Sequence, residues 1–283
     1  MSRPAVGVDV GGTKILATCV EPDGTVVGSA RTPTPPSGEA ILDAARDLVI
    51  ELSNGSPADL AGVGVGVPGL VDKQGILRFA PNLPRVVGLD VAGGLGSRLS
   101  EGLPDEGPEV FVDNDANCAA AAEQAFGAAR GCSDVLVVTL GTGIGGGVFA
   151  GGRMLRGAGN FAGEIGHMAV DPHGPPCPCG KRGCWERYAS GSGLARLARD
   201  AATGGRATRV LELAGGDEAR VTGQLVVQAA EEGDTEALAV LGQFAFWVGL
   251  GLANLANLLD PEVIVLGGGL VEAGEILLAP TRS

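Results

Sequence analysis

Three cysteines and a histidine carry the sharpest chemical signal in this chain. His167 precedes the segment CPCGKRGC, which holds Cys177, Cys179 and Cys184. Thiolates two and five residues apart, with one imidazole, supply the four ligands of a Cys3His zinc site. The glycines and prolines around them fit a loop that wraps a metal. The N-terminus, MSRPAVGVDVGG, has no apolar leader segment, so the cluster points to metal or redox chemistry rather than to a disulfide framework. Four protein ligands leave no open coordination position, and zinc in such a site is structural rather than hydrolytic.

A second kind of chemistry is written in glycine. Three apolar runs end in glycine-rich turns: Asp9-Val10-Gly11-Gly12-Thr13-Lys14, the segment Gly141-Thr142-Gly143 with its following glycines, and Gly267-Gly268-Gly269. Such turns leave backbone N–H groups free to converge on an anion. In the first, Thr13 adds a hydroxyl, Lys14 a positive charge, and Asp9 a carboxylate that could hold Mg²⁺ directly or through water. Each turn on its own also reads as a plain hairpin or a strand-to-helix connection. Together they suggest a nucleotide cleft between two lobes. The G-x-G-x-x-G pattern occurs at Gly141–Gly146 and Gly64–Gly69, but extended residues follow both, whereas a dinucleotide fingerprint must open a helix. No G-x-x-x-x-G-K-[ST] segment exists.

A third group consists of carboxylates and amides. Asn114-Asp115 closes a short apolar run, Glu164 stands three residues before His167, Glu186 two after Cys184, and Asn82 lies in the loop APNL. Sugar hydroxyls are recognised by such acceptor and amide sets when they are held rigidly. Singly, each also reads as a helix cap or a solvated group.

The elements that must position these residues are legible from periodicity. Residues 4–33 read as a three-strand meander, 37–53 as a helix with Ile41, Leu42, Ala45, Leu48, Val49 and Leu52 on one face, and 61–69 as a strand ending at a Pro-Gly turn. Residues 109–115 are a strand, 116–126 an alanine-rich helix, and 134–152 a second strand–turn–strand that repeats the opening theme about 130 residues later. Residues 235–259 read as a helix apolar nearly all round, hence buried. The segment 261–270 is a strand and turn, with a last helix starting near Val271. Alternating strands and helices give an α/β class in two domains, 1–115 and 116–283.

Composition narrows the function. With 49 glycines in 283 residues, the chain carries more than twice the usual share of about 7%, yet shows no collagen period. The net charge of −13 disfavours nucleic acid, which needs a basic face. No run of basic residues favours an anionic membrane surface. The longest apolar stretch, 244–259, is interrupted by Asn254 and Asn257 and is short for a membrane span. A cytoplasmic location, with neither nucleic acid nor membrane as partner, is the expectation.

Seven stretches taken together resemble the ROK family of sugar kinases and repressors, on the side of its bacterial, actinobacterial-type glucokinases. They are DVGGTK at 9–14, VGVPGLVD at 65–72, DNDAN at 113–117, LGTGIGGG at 140–147, GEIGH at 163–167, CPCGKRGCWE at 177–186 and DPEVIVLGGGL at 260–270. The resemblance implies the two-lobed actin-like ATPase (ribonuclease H-like) fold and ATP-dependent phosphorylation of a hexose, with glucose at its 6-hydroxyl as the leading substrate. Mannose, fructose or N-acetylmannosamine, a polyphosphate donor, or a sugar-sensing regulatory role remain as alternatives. It further implies Asp115 as general base and Asn82, Asn114, Glu164, His167 and Glu186 as the sugar-hydroxyl set. Gly11, Gly12, Thr13, Thr142 and Gly143 become phosphate turns, and Gly268 and Gly269 the adenosine end. His167 then serves both zinc and sugar. A homodimer or homotetramer is the family's usual assembly. Family members continue past the last strand-and-turn unit with another strand, an AGxxGA-like segment and a final helix, so C-terminal elements of the fold are expected to be missing here.

Overall fold

A computed structural model describes residues 3–80, 83–103 and 107–282. The chain forms two compact units, one of Met1–Ala122 with Leu155–Ala162, the other of Glu123–Met154 with Gly163–Ser283. The division therefore runs inside a helix rather than at residue 115, and a strap of eight residues, 155–162, packs with the first unit. Sequence periodicity cannot see either feature, because both depend on which surface a continuous element finally covers.

In the first unit β1 (Ala5–Val10), β2 (Lys14–Val20) and β3 (Val26–Pro33) form the expected meander, and β4 (Val63–Val67) and β7 (Val110–Asn114) extend it in the order β3-β2-β1-β4-β7. A small antiparallel pair, β5 (Leu70–Val71) and β6 (Leu77–Phe79), lies between them in sequence. The two-residue period of β1 sends Val6, Val8 and Val10 into the core. Parallel pairing aligns Val8 with Val65 and Val65 with Val112. Helices α1 (Gly38–Leu52) and α2 (Val91–Ser100) cover this sheet. Ser37 caps α1 by accepting from the Ala40 amide, and α1 buries Ile41, Leu42, Ala45, Leu48 and Val49. Three glycines weaken α2 as a helix former. It is held instead by the Asp90 cap on the Gly93 amide and by Val91, Leu95 and Leu99, one turn apart and buried. Helix α3 (Asp115–Phe126) follows β7 directly.

The second unit repeats the first sheet's plan. Strands β8 (Val135–Leu140), β9 (Ile144–Ala150), β10 (Arg153–Met154) and β11 (Val263–Gly267) lie in the order β10-β9-β8-β11, with two antiparallel pairings and one parallel. That is the arrangement of β3-β2-β1-β4. Helices α4 (Glu186–Ala189), α5 (Gly191–Thr203), α6 (Thr208–Leu213), α7 (Gly223–Glu231), α8 (Thr235–Leu259) and α9 (Glu275–Arg282) complete it. Trp185 is fully buried and donates its indole N–H to the Trp247 carbonyl at 2.7 Å.

Two expectations need correction. Helix α8 is not buried all round: Ala237, Val240, Leu241, Phe244, Ala245 and Val248 face the core, while Phe246 and Leu258 are 61% and 76% exposed. By length and composition alone α8 could cross a membrane. Its inner face is instead packed against the neighbouring helices of its own unit. The glycines after β11 open a single 3-10 turn, Gly269–Ala273, and the regular helix α9 starts only at Glu275, past the left-handed Gly274.

Candidate active site

The first unit holds one group of the expected residues. The turn between β1 and β2 is closed by the Gly11 amide donating to the Lys14 carbonyl at 2.9 Å, and Thr34 Oγ1 donates to the Gly11 carbonyl. Among the described residues the amides of Gly12 and Thr13 have no backbone partner, so they remain available to an anion. Asp9 is the last outward-facing residue of β1, and Lys14 opens β2 with an exposed side chain. Protein packed around the Asp9 carboxyl raises its pKa, and the charge of Lys14 pulls the other way.

Asp115 occupies the first position of α3. Asn114 caps that helix: its Oδ1 accepts from the amides of Ala116 and Asn117 at 2.9 and 3.2 Å, and its Nδ2 donates to the Gly69 carbonyl. Most of the Asn114 side chain is thus engaged in building the junction. Asp115 Oδ1 accepts from Ala116 N at 2.9 Å. Desolvation raises the Asp115 pKa, and the negative charge of Asp9 adds to it against the hydrogen bond from Ala116. A carboxylate with raised proton affinity is suited to accept a proton. Nearby, burial pushes the Cys118 thiol up to about 12, so it stays protonated and non-nucleophilic. Asn82 lies outside the described residues.

The second unit brings together the rest. Its β8–β9 turn is closed by Gly141 N donating to Gly143 O at 3.0 Å, and the Thr142 and Gly143 amides have no backbone partner among the described residues. Glu186, at the start of α4, reaches this turn, its Oε2 accepting from Ile144 N at 2.9 Å. A Cβ at Gly143 would meet that carboxylate and force it to move. Sequence reading did not assign Ser190, Gly191 and Ser192. The Gly191 amide donates to Gly141 O at 2.7 Å and Ser192 Oγ to Thr142 O at 3.0 Å, which fixes the turn from behind. The signal was present as an N-cap serine: Ser190 Oγ accepts from Gly193 N. Gly268 follows β11 with φ 88°, and a Cβ there would meet the Leu140 backbone at 2.5 Å. Gly269 begins the 3-10 turn.

His167, Cys177, Cys179 and Cys184 converge, their ligand atoms all within 4.8 Å of one another. Cys179 Sγ and Cys184 Sγ are 3.5 Å apart, and Cys177 Sγ and His167 Nδ1 are 3.6 Å apart. A tetrahedral zinc with bonds of about 2.3 Å to sulfur and about 2.0 Å to nitrogen has edges of roughly 3.5–3.8 Å. The donor set and its geometry therefore fit zinc. The loop is preformed by Cys177 N donating to Lys181 O at 2.8 Å and Gly180 N to Cys177 O at 3.0 Å. Without metal, burial pushes the Cys184 thiol up to about 12, so a bound cation displaces protons. With Nδ1 turned to the cysteines, His167 Nε2 lies 4.0 Å from Glu164 Oε2. The ring thus has one nitrogen for the metal cluster and one on the side of Glu164.

An α/β chain with two like-built sheets, each ending in an amide-lined turn, has the actin-like ATPase (ribonuclease H-like) fold. The chain belongs to the ROK family, whose model matches residues 5–283. It is 40% identical over 281 residues to a glucokinase of Streptomyces coelicolor, covering 98% of this chain and 85% of that one. It is 39% identical over 285 residues to a glucokinase of Halalkalibacterium halodurans, covering 98% and 83% respectively. Among solved structures, a ROK glucokinase from Streptomyces griseus in complex with glucose and AMPPNP superposes with a TM-score of 0.82 at 39% identity, covering 99% of this chain and 87% of the other.

Proposed function

We propose that this protein is an ATP-dependent glucokinase that transfers the γ-phosphoryl group of ATP to the 6-hydroxyl of glucose. The observation that carries the reading is Asp115. Its carboxyl keeps one oxygen on the Ala116 amide, has its proton affinity raised by burial, and stands at the helix start beside the Asp9-bearing turn. The glucokinase relatives and the glucose–AMPPNP complex of the Streptomyces griseus enzyme support the same assignment.

In this mechanism Asp115 accepts the hydroxyl proton as the new P–O bond forms, and the ADP oxygen leaves in line. Glu164, His167 and Glu186, together with Asn82 and the remaining amide hydrogen of Asn114, hold the sugar hydroxyls. The free amides of Gly12, Thr13, Thr142 and Gly143 face the phosphates, with Gly11 shaping the first turn, while Gly268 and Gly269 pass close to the nucleoside. Mg²⁺ supplies neutralisation of phosphate charge when bound, and Asp9, assisted by nearby Lys14 on the phosphate side, is the carboxylate that would hold it directly or through water. Cys177, Cys179, Cys184 and His167 would hold a structural zinc, and with Nδ1 committed to that cluster the His167 ring would keep Nε2 for the sugar. The reading places the enzyme in the cytoplasm, as a homodimer or homotetramer.

The test is a coupled assay of ADP release with Mg-ATP and a panel of glucose, mannose, fructose and N-acetylmannosamine. Highest kcat/KM for glucose is expected. Absence of turnover with every hexose would overturn the kinase reading, and a clear preference for another hexose would overturn the glucose assignment.

A further inference from the structure

The strap Leu155–Ala162 leaves β10 at Met154 and re-enters the second unit at Gly163, yet it packs with the first unit. Two side chains fasten it there. Arg156 donates to Asp113 Oδ2 from Nε at 3.0 Å and from Nη2 at 2.7 Å. Asn160, buried and in the left-handed region at φ 73°, donates from Nδ2 to the Val71 carbonyl at 3.0 Å. The Ala162 amide closes the strap on itself by donating to Arg156 O at 3.1 Å.

The other oxygen of Asp113 is taken as well. Its Oδ1 accepts from the Asn114 amide at 2.8 Å and from Asn117 Nδ2 at 2.8 Å. Asn117 is almost fully buried. All four hydrogen bonds of this carboxylate therefore come either from Arg156 or from the two residues, 114 and 117, that bracket Asp115 on the β7–α3 junction. Asp113 itself is largely enclosed, its side chain 14% exposed, whereas that of Arg156 is 48% exposed.

We propose that Arg156 is a positioning residue for phosphoryl transfer. It saturates Asp113 and so holds the junction that presents Asp115. At the same time it pins the stretch of chain that runs, two residues after Ala162, into Glu164 and then His167. The inference rests on the glucokinase reading above, in which Asp115 is the base and Glu164 and His167 read the sugar. A half-exposed ion pair adds little to global stability, so its purpose is sought in alignment. Reacting groups displaced by about 1 Å can lose on the order of 100-fold in rate. Lysine offers a point charge in place of the planar guanidinium fork and can reproduce only part of the contact.

The experiment compares the full chain with R156M, R156K, D113N and the R156M/D113N double variant in glucose phosphorylation, with thermal melts alongside. R156M is expected to lower kcat/KM for glucose by roughly 10- to 100-fold, with KM for ATP within about twofold and Tm nearly unchanged. R156K is expected to recover a substantial part of the loss, and the double variant to be no worse than the poorer single one, because both remove the same contact. R156M kinetics within twofold of the parent would overturn the proposal. So would additive losses in the double variant, or a uniform fall in active fraction with a lowered Tm that R156K does not relieve. Should R156M fail to fold, the R156K split between kcat and the two KM values decides the matter alone. A parent that phosphorylates no hexose refutes the kinase reading itself. An active parent matched by R156M refutes only the role of Arg156.

Discussion

Replacing Asp115 by Asn tests the chemistry and the electrostatics in one variant. Asn keeps the shape of the side chain and an Oδ1 that can accept from Ala116 N, a bond of 2.9 Å in the parent. It removes the only function assigned to the second oxygen, accepting the proton of the sugar hydroxyl. A positioned general base contributes about 10²- to 10⁴-fold, which is about 2.7–5.5 kcal/mol at 1.36 kcal/mol per decade. The expected result is a kcat lower by that factor with KM for glucose changed by less than about threefold, since hydroxyl recognition rests on other residues. Stability moves in the opposite sense. Burial and the charge of Asp9 raise the Asp115 pKa above its ordinary value of 3.8, so the native state holds the proton more tightly than the unfolded chain does. The stability this provides is complete below pH 3.8 and is lost as pH rises through the higher folded value. At pH 7 the ionised carboxylate is a burden that Asn does not carry. D115N should therefore melt above the parent at pH 7, and the gap should close on acidification. Activity is read by coupled ADP release and stability by thermal melts at several pH values. A kcat within tenfold of the parent would refute the base assignment. A lower Tm than the parent at pH 7 would refute the burial argument.

The zinc reading predicts about one zinc per chain in reduced, freshly purified protein. C184S should lose the metal, melt earlier and lose glucose affinity, because the His167 ring loses its anchor; metal analysis and melting curves check this, and full zinc occupancy in C184S would count against the ligand set. G268A forces a left-handed residue with its Cβ against the Leu140 backbone, costing about 1–3 kcal/mol of backbone strain before the clash is counted. A Tm lowered by several degrees is expected in a thermal scan. G143A drives a methyl group into the Glu186 carboxylate and should break its bond to Ile144 N. A hydrogen bond to a charged group is worth about 1.5–3 kcal/mol, so kcat/KM should fall by about tenfold or more in steady-state assays.

What the sequence made legible depended on how local each cause was. The β1–β2 turn and the CPCGKRGC loop are short segments whose glycines, prolines and ligands state their geometry within a few residues. The same holds for α1, whose apolar face and Ser37 cap both lie in one stretch. Helix α2 is not legible in its own residues, because Gly93, Gly94 and Gly96 argue against a helix, while Val91, Leu95 and Leu99 are held by burying against partners far along the chain. Helix α8 misled in the other direction. Its composition is apolar on every side, and only packing shows that Phe246 and Leu258 face outward. The supports of the site were the least visible. Gly191 and Ser192 behind the β8–β9 turn bond to Gly141 and Thr142, with Ser192 reaching across 50 residues of sequence, and Arg156 reaches Asp113 across 43; no periodicity records such bonds.

The two sheets also explain how a chain of charge −13 can handle phosphates. In each, a three-residue glycine turn joins the first antiparallel pair, Gly11–Thr13 between β1 and β2 and Gly141–Gly143 between β8 and β9. In each, a parallel neighbour stands at the same register, Asp9 opposite Gly66 and Thr139 opposite Gly267. The amide cradle is thus a property of the repeated backbone and needs no basic side chain. The chemistry diverges at one equivalent position. Two residues before the turn, the first copy places Asp9 and the second places Thr139. One carboxylate, suited to a divalent cation, and one neutral hydroxyl leave the second turn free to act through its amides alone.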